Sequence, residues 1–125
     1  MKQNHWLEPA AEQLREAAGA EPGAGAMTHG EARERLERMQ EAPVCLYPAE
    51  TEETAVLTKR WGRVPVTVVK PACVGSPADA IVYLHGGGWV TGSFHTHEKL
   101  VRELAARAGC VVIFPSYSRA PEARF

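Results

Sequence analysis

The sequence has few cysteines, no long apolar run and no surplus of charge of either sign, and each shortage removes a class of protein. Its three cysteines, Cys45, Cys73 and Cys110, are widely spaced, odd in number and form no C-x-x-C pair. That pattern argues against a disulfide framework and against a zinc site, and it fits free thiols in a reducing compartment. No apolar stretch approaches the ~20 residues that a membrane helix needs. The N-terminus, Met1-Lys2-Gln3-Asn4-His5-Trp6, is polar and no apolar h-region follows it, so no secretory signal is expected. With a formal net charge of −1 and acids interleaved with bases, the chain carries no basic footprint for nucleic acid or a membrane surface. What remains is a soluble, cytoplasmic protein of 125 residues, 45% hydrophobic and 23% charged. That length makes one ordinary domain or a piece of a larger one.

The hydrophobic period divides the chain in two. Over residues 6–18, Leu7, Ala10, Ala11, Leu14, Ala17 and Ala18 recur at spacings of three and four, which predicts a helix. Pro22, Gly23 and Gly25 then break it. Thr28 followed three residues later by Glu31 is a capping-box signature for a second helix, with Ala32, Leu36 and Met39 as its apolar stripe and Pro43 as its stop. From Thr54 the pattern turns β-rich. Residues 54–59 and 64–69 predict a hairpin around Arg60-Trp61-Gly62-Arg63. Pro65 lacks a ladder donor, so its strand should start late or lie near a sheet edge. Residues 80–84 and 110–114 are continuous apolar runs, as expected of strands covered on both faces. Between them a helix is expected over 96–108, with Leu100, Val101, Leu104, Ala105 and Ala108 on one side and Gly109 as its stop. Strand, loop, helix, strand is a βαβ unit, which makes its two strands parallel.

The segment Leu84-His85-Gly86-Gly87-Gly88-Trp89 follows the first of these buried strands. Three successive glycines cost backbone entropy and offer nothing to pack. A chain accepts that cost where the backbone takes unusual dihedrals or approaches something closely. At the carboxyl end of a strand, a usual ligand position in open α/β sheets, their amides can point outward. Fixed N–H donors of this kind suit the oxyanion of a tetrahedral acyl-transfer intermediate. A flexible loop is the plain alternative for a glycine run taken alone. The stretch Ser116-Tyr117-Ser118-Arg119-Ala120-Pro121-Glu122, directly after the next buried strand, favours the functional reading.

Together the two stretches resemble the hormone-sensitive-lipase-like esterases of the α/β-hydrolase fold, and bacterial acetyl esterases in particular. In that family an HGGG-aromatic loop precedes a helix and a strand ending in a D-Y-x-L-A-P-E type motif. The resemblance is close over residues 80–125 and holds only in general layout before them. It implies the N-terminal part of an α/β-hydrolase: two cap helices, a hairpin and the βαβ unit. Residues 1–43 would be a helical cap segment, and residues 44–125 the first part of the core. By the same resemblance Gly87 and Gly88 supply oxyanion amides, His85 and Gly86 support the loop, and Trp89 and Phe94 are candidates to line the substrate pocket. The substrate implied is a small carboxylic ester with a short, acetyl-like acyl chain, with no metal or other cofactor. The C-terminal remainder of the same fold is the implied partner.

Two positions depart from the family pattern: Ser116 stands at the usual aspartate, and Arg119 at the usual leucine. The family nucleophile belongs to a G-x-S-x-G elbow, with the acid and histidine later still. None of Ser76, Ser93, Ser116 and Ser118 completes such an elbow, so none of the triad is expected within these 125 residues. The chain alone is therefore expected to be inactive. The competing reading is a non-catalytic fragment that serves as a binding piece or is a decayed product. Other motifs carry less. His95-Thr96-His97 is an H-x-H pair without a third ligand nearby. Residues 86–91 match neither G-x-x-x-x-G-K-[ST] nor G-x-G-x-x-G. Glu122 reads as a structural carboxylate.

Overall fold

The computed structural model describes residues 9–19, 27–72 and 74–124. Its elements run α1 (Pro9–Gly19), α2 (His29–Met39), β1 (Ala49–Thr58), β2 (Gly62–Pro71), β3 (Ala80–Val82), α3 (Phe94–Ala108) and β4 (Val111–Pro115). Leu7 and the breaker residues 20–26 lie outside what is described, as does Cys73; the expected first helix is present as α1. No helix among the described residues is long and apolar enough to cross a membrane.

The four strands form one sheet in the order β1-β2-β4-β3. The expected hairpin is present, with β1 and β2 antiparallel from Ala49↔Pro71 to Thr58↔Gly62. Its turn is closed by Thr58, whose Oγ1 accepts from the Trp61 amide at 2.9 Å, and Gly62 follows with φ +68°. β1 begins earlier than the period indicated and takes in Glu50, Glu52 and Glu53. These acids have low β propensity, but an outer strand carries them exposed, and Glu52 pairs with Lys70 of β2 at 3.0 Å.

Pro65 corrects another expectation, for it lies inside β2, an interior strand, rather than at an edge. Its carbonyl accepts from Ser116 N at 2.9 Å, and the paired ladder to β4 begins only at Val66↔Pro115. In an antiparallel strand a residue's N and O face the same neighbour. The donor that Pro65 lacks would therefore have faced the end of β4.

β3 and β4 are parallel, as the βαβ pattern requires. The core lies between the sheet and α3: Val69, Val101, Ala105, Val112 and Phe114 are fully buried, with Ile81, Phe94 and Leu104 against them. β3 does not have two covered faces. Val82 is 61% and the following Leu84 67% exposed, because β3 is the outer strand on that side and, among the described residues, one of its faces meets no other layer. Leu100, placed by its period on the apolar side of α3, is half exposed.

α3 starts at Phe94, before the expected Thr96. Ser93 caps it, its Oγ accepting from Thr96 N at 3.2 Å while Thr96 Oγ1 accepts from Ser93 N at 2.9 Å. It ends at Gly109 in the left-handed conformation, φ +64°. α2 opens with the expected capping box at Thr28 and Glu31, and buries no residue.

Candidate functional site

The loop after β3 turns on its glycines. Gly87 has φ +130° and Gly88 φ +60°. The Gly87 carbonyl accepts from Val90 N at 3.1 Å, Thr91 N at 2.9 Å and Thr91 Oγ1 at 3.0 Å. A Cβ on Gly87 would lie 2.2 Å from the Thr91 carbonyl oxygen, so the turn excludes any side chain there. Trp89 is also left-handed, at φ +61°. Such a conformation costs an L-residue roughly 1–2 kcal/mol, so the surroundings must hold it. Among the described residues no protein group accepts a hydrogen bond from the Gly87 or Gly88 amide, and both residues are exposed. Two backbone donors thus stand free in a turn held through the carbonyls of Gly86, Gly87, Trp89 and Val90.

Three groups of contacts fix this turn. From below, His85 is 5% exposed, stacked between Tyr117 (centroids 4.3 Å) and Phe114 (5.3 Å). Its Nδ1 lies 2.8 Å from the Gly86 carbonyl, which can only accept, so Nδ1 carries the proton. The Tyr117 hydroxyl donates to the His85 carbonyl. Burial pushes the His85 pKa below its usual 6.5, the bond to the Gly86 carbonyl opposes that, and the nearby His97 and Arg119 add to the lowering. Burial likewise raises the Tyr117 phenol above 10. A Cβ on Gly92 would sit 2.5 Å from His85 Nδ1, so the loop's exit is shaped around the same ring.

From the segment after β4, Ala120 N donates to the Trp89 carbonyl at 2.9 Å and Arg119 Nη1 to the Gly92 carbonyl at 2.6 Å. The arginine that replaces the family's leucine is thus tied to the loop. Ser116, at the family's aspartate, donates its amide to Pro65.

From α2, Arg33 donates Nε to the Val90 carbonyl at 2.8 Å and Nη2 to the Ala120 carbonyl at 2.8 Å, and it grips both Glu122 oxygens, at 2.7 and 2.8 Å. That grip holds the Glu122 carboxyl well below its usual range, at about 2. One turn along the same helix, Glu37 accepts from Ser93 Oγ at 2.7 Å.

Of the residues singled out in the sequence, His85, Gly86, Gly87, Gly88 and Trp89 share this turn. Trp89 is 72% exposed and borders a cavity of about 480 Å³ with Trp61, Pro65, Tyr117 and Ala120. Gly87 and Gly88 do not line it. Phe94 is not in that cavity either; it meets Phe114 edge-on at 5.4 Å in the core, because the start of α3 packs inward over the sheet. His95 and His97 diverge, the first toward Glu37 at 3.8 Å and the second onto Tyr83. No cluster of three or more His, Cys, Asp or Glu among the described residues could hold a metal. Sequence reasoning missed Arg33 and Glu37, because a charged residue on an amphipathic helix gives no sign of partners so far along the chain. The Ser93–Thr96 cap had a legible S-x-x-T signal.

A four-stranded sheet with one parallel βαβ unit and a glycine turn at the end of its first parallel strand is the beginning of an α/β-hydrolase. The family model described as alpha/beta hydrolase fold matches residues 81–125. An esterase of Gibberella moniliformis is 40% identical over 99 residues, 77% of this chain and 30% of its own length. An acetyl esterase of Salmonella paratyphi B is 36% identical over 78 residues, 62% of this chain and 24% of its own. Among solved structures, a thermostable esterase from Pseudomonas putida superposes with a TM-score of 0.85 at 29% identity, over 95% of this chain and 38% of that one. This chain belongs to the α/β-hydrolases of the hormone-sensitive-lipase-like family and forms the N-terminal part of that fold. It spans about 30% of the length of the first of these curated relatives.

Proposed function

We propose that this chain is the oxyanion-loop segment of a serine carboxylesterase acting on short-chain, acetyl-like esters. The observation that carries the reading is the pair of unpartnered amides at Gly87 and Gly88, in a turn held through the carbonyls of Gly86, Gly87, Trp89 and Val90. A serine from a nucleophile elbow outside these 125 residues attacks the ester carbonyl, with an acid and a histidine likewise supplied from elsewhere. As the carbonyl carbon becomes tetrahedral, negative charge gathers on its oxygen, and the two amides donate to it. Preorganised donors need no rearrangement at that moment. His85 and Gly86 support the turn, and Trp89 borders the acyl side. Residues 1–43 act as a cap segment and residues 44–125 as the first part of the core. The reaction needs no cofactor. A cytoplasmic setting belongs to the same reading and rests on the three scattered cysteines of the sequence, odd in number and without a C-x-x-C pair.

The test is hydrolysis of p-nitrophenyl acetate by the polypeptide expressed at its full encoded length. Gly87→Ala keeps the amide, but its Cβ would meet the Thr91 carbonyl and must shift the turn, so kcat should fall about 100-fold or more, the scale of a lost oxyanion donor at ~2.7–4 kcal/mol. Undiminished turnover in a folded Gly87→Ala variant would remove the oxyanion role. A second reading, a non-catalytic binding piece, draws on the lack of any elbow serine within residues 1–125. It requires that the full-length product hydrolyse no ester at all.

A further inference from the structure

We infer that Arg33 is a positioning residue for the oxyanion turn, and that through it α2 sets whether the turn is competent. The inference rests on the esterase reading and adds a residue to it. A guanidinium with four hydrogen bonds to three separate acceptor groups is unusual for a helix that buries no residue. Its acceptors are not scattered. The Val90 carbonyl belongs to the residue whose amide closes the turn on the Gly87 carbonyl, and the Ala120 carbonyl to the residue whose amide holds the Trp89 carbonyl. Arg33 therefore joins the two strands of backbone that fix the left-handed Trp89, and Glu122 fixes Arg33 in turn.

The planar fork is what the geometry needs, since one face must serve two carbonyls and a carboxylate together. Without it, two carbonyls and a carboxylate are left facing one another with no donor between them. Repulsion would then open the Val90–Ala120 seam, and the Gly87 and Gly88 amides would lose their fixed aim. Such a displacement acts where charge develops, in the transition state, more than on the bound ester. Glu37, one helical turn further, holds the loop's exit at Ser93, so the loop is gripped by α2 at two points.

The experiment compares Arg33→Met and Arg33→Lys with the parent, all at full encoded length, using p-nitrophenyl acetate. Arg38→Met serves as a control, because the Arg38 side chain is exposed and, among the described residues, pairs with Glu34 at 3.7 Å, away from the loop. Arg33→Met should lower kcat roughly 10–100-fold, the scale of a displaced catalytic group, with KM within about twofold. Arg33→Lys should recover little of it, since one ammonium cannot serve all three acceptors; the control should match the parent. Melting curves establish that each variant folds. Parental kcat in a folded Arg33→Met or Arg33→Lys variant, or a change confined to KM, overturns the inference while leaving the esterase reading intact. Should Arg33→Met fail to fold, the kcat of Arg33→Lys decides alone. A parent that hydrolyses no ester overturns both.

Discussion

α2 and α3 begin alike and are held in opposite ways. Each opens with a hydroxyl cap and a reciprocal bond from its third residue, Thr28 with Glu31 and Ser93 with Thr96. From there they part. α3 drives Val101 and Ala105 into the core at 0% exposure, and apolar burial, at ~25 cal/mol per Å2, keeps it on the sheet. α2 buries no residue fully, Ala32 and Leu36 being half-buried, and is attached through Arg33 to loop carbonyls and through Glu37 to the Ser93 hydroxyl. Packing fixes where α3 lies; directed polar bonds fix where α2 lies. The contrast teaches that the loop between β3 and α3 rests on a rigid floor and is steered by an adjustable neighbour.

Perturbing each helix should give different losses. The largest belongs to the floor: Phe114→Ala, which removes the ring under His85 and beside Phe94, should destabilise by about 3–5 kcal/mol, read as a shift in the urea midpoint. A loss under 1 kcal/mol would show that α3 does not depend on that ring. Next come the caps. Ser93→Ala should cost more than Thr28→Ala within the usual range of about 0.5–2 kcal/mol, because the first also breaks the bond to Glu37. Equal losses would erase the distinction between the two helices.

The smallest effect is on acid tolerance. Glu122 has its pKa lowered to about 2 from 4.5, chiefly by hydrogen bonding to Arg33. A lowered acid pKa contributes stability that is present above 4.5 and lost as pH falls toward about 2. Glu122→Gln should therefore flatten the stability curve across that window, followed by circular dichroism. An unchanged slope would mean that the exposed pair is screened by solvent.

Much of this was legible in the sequence because local chemistry decided it. The hairpin, the βαβ order, the Thr28 cap and the Gly109 stop are each written in a few adjacent residues. The glycine turn was legible as well, since only glycine tolerates the contact at Gly87. What escaped depends on neighbours distant in the chain. The acidic start of β1 is strand because β2 pairs with it, and Pro65 is tolerated inside the sheet because β4 ends beside it. β3 looked doubly covered from its composition, yet Val82 and Leu84 are open because, among the described residues, no further layer meets that face. Arg33 gave no sign, since its partners are brought to it only by the completed fold.

That last separation has a kinetic meaning. The acceptors of Arg33 lie 57, 87 and 89 residues downstream. Closing such long segments costs entropy that α2 cannot repay with buried surface of its own. α2 should therefore be the last piece to seat and the first to lift away during breathing of the native state. Its amides should exchange with deuterium well before those of α3, with the glycine turn loosening at the same moment.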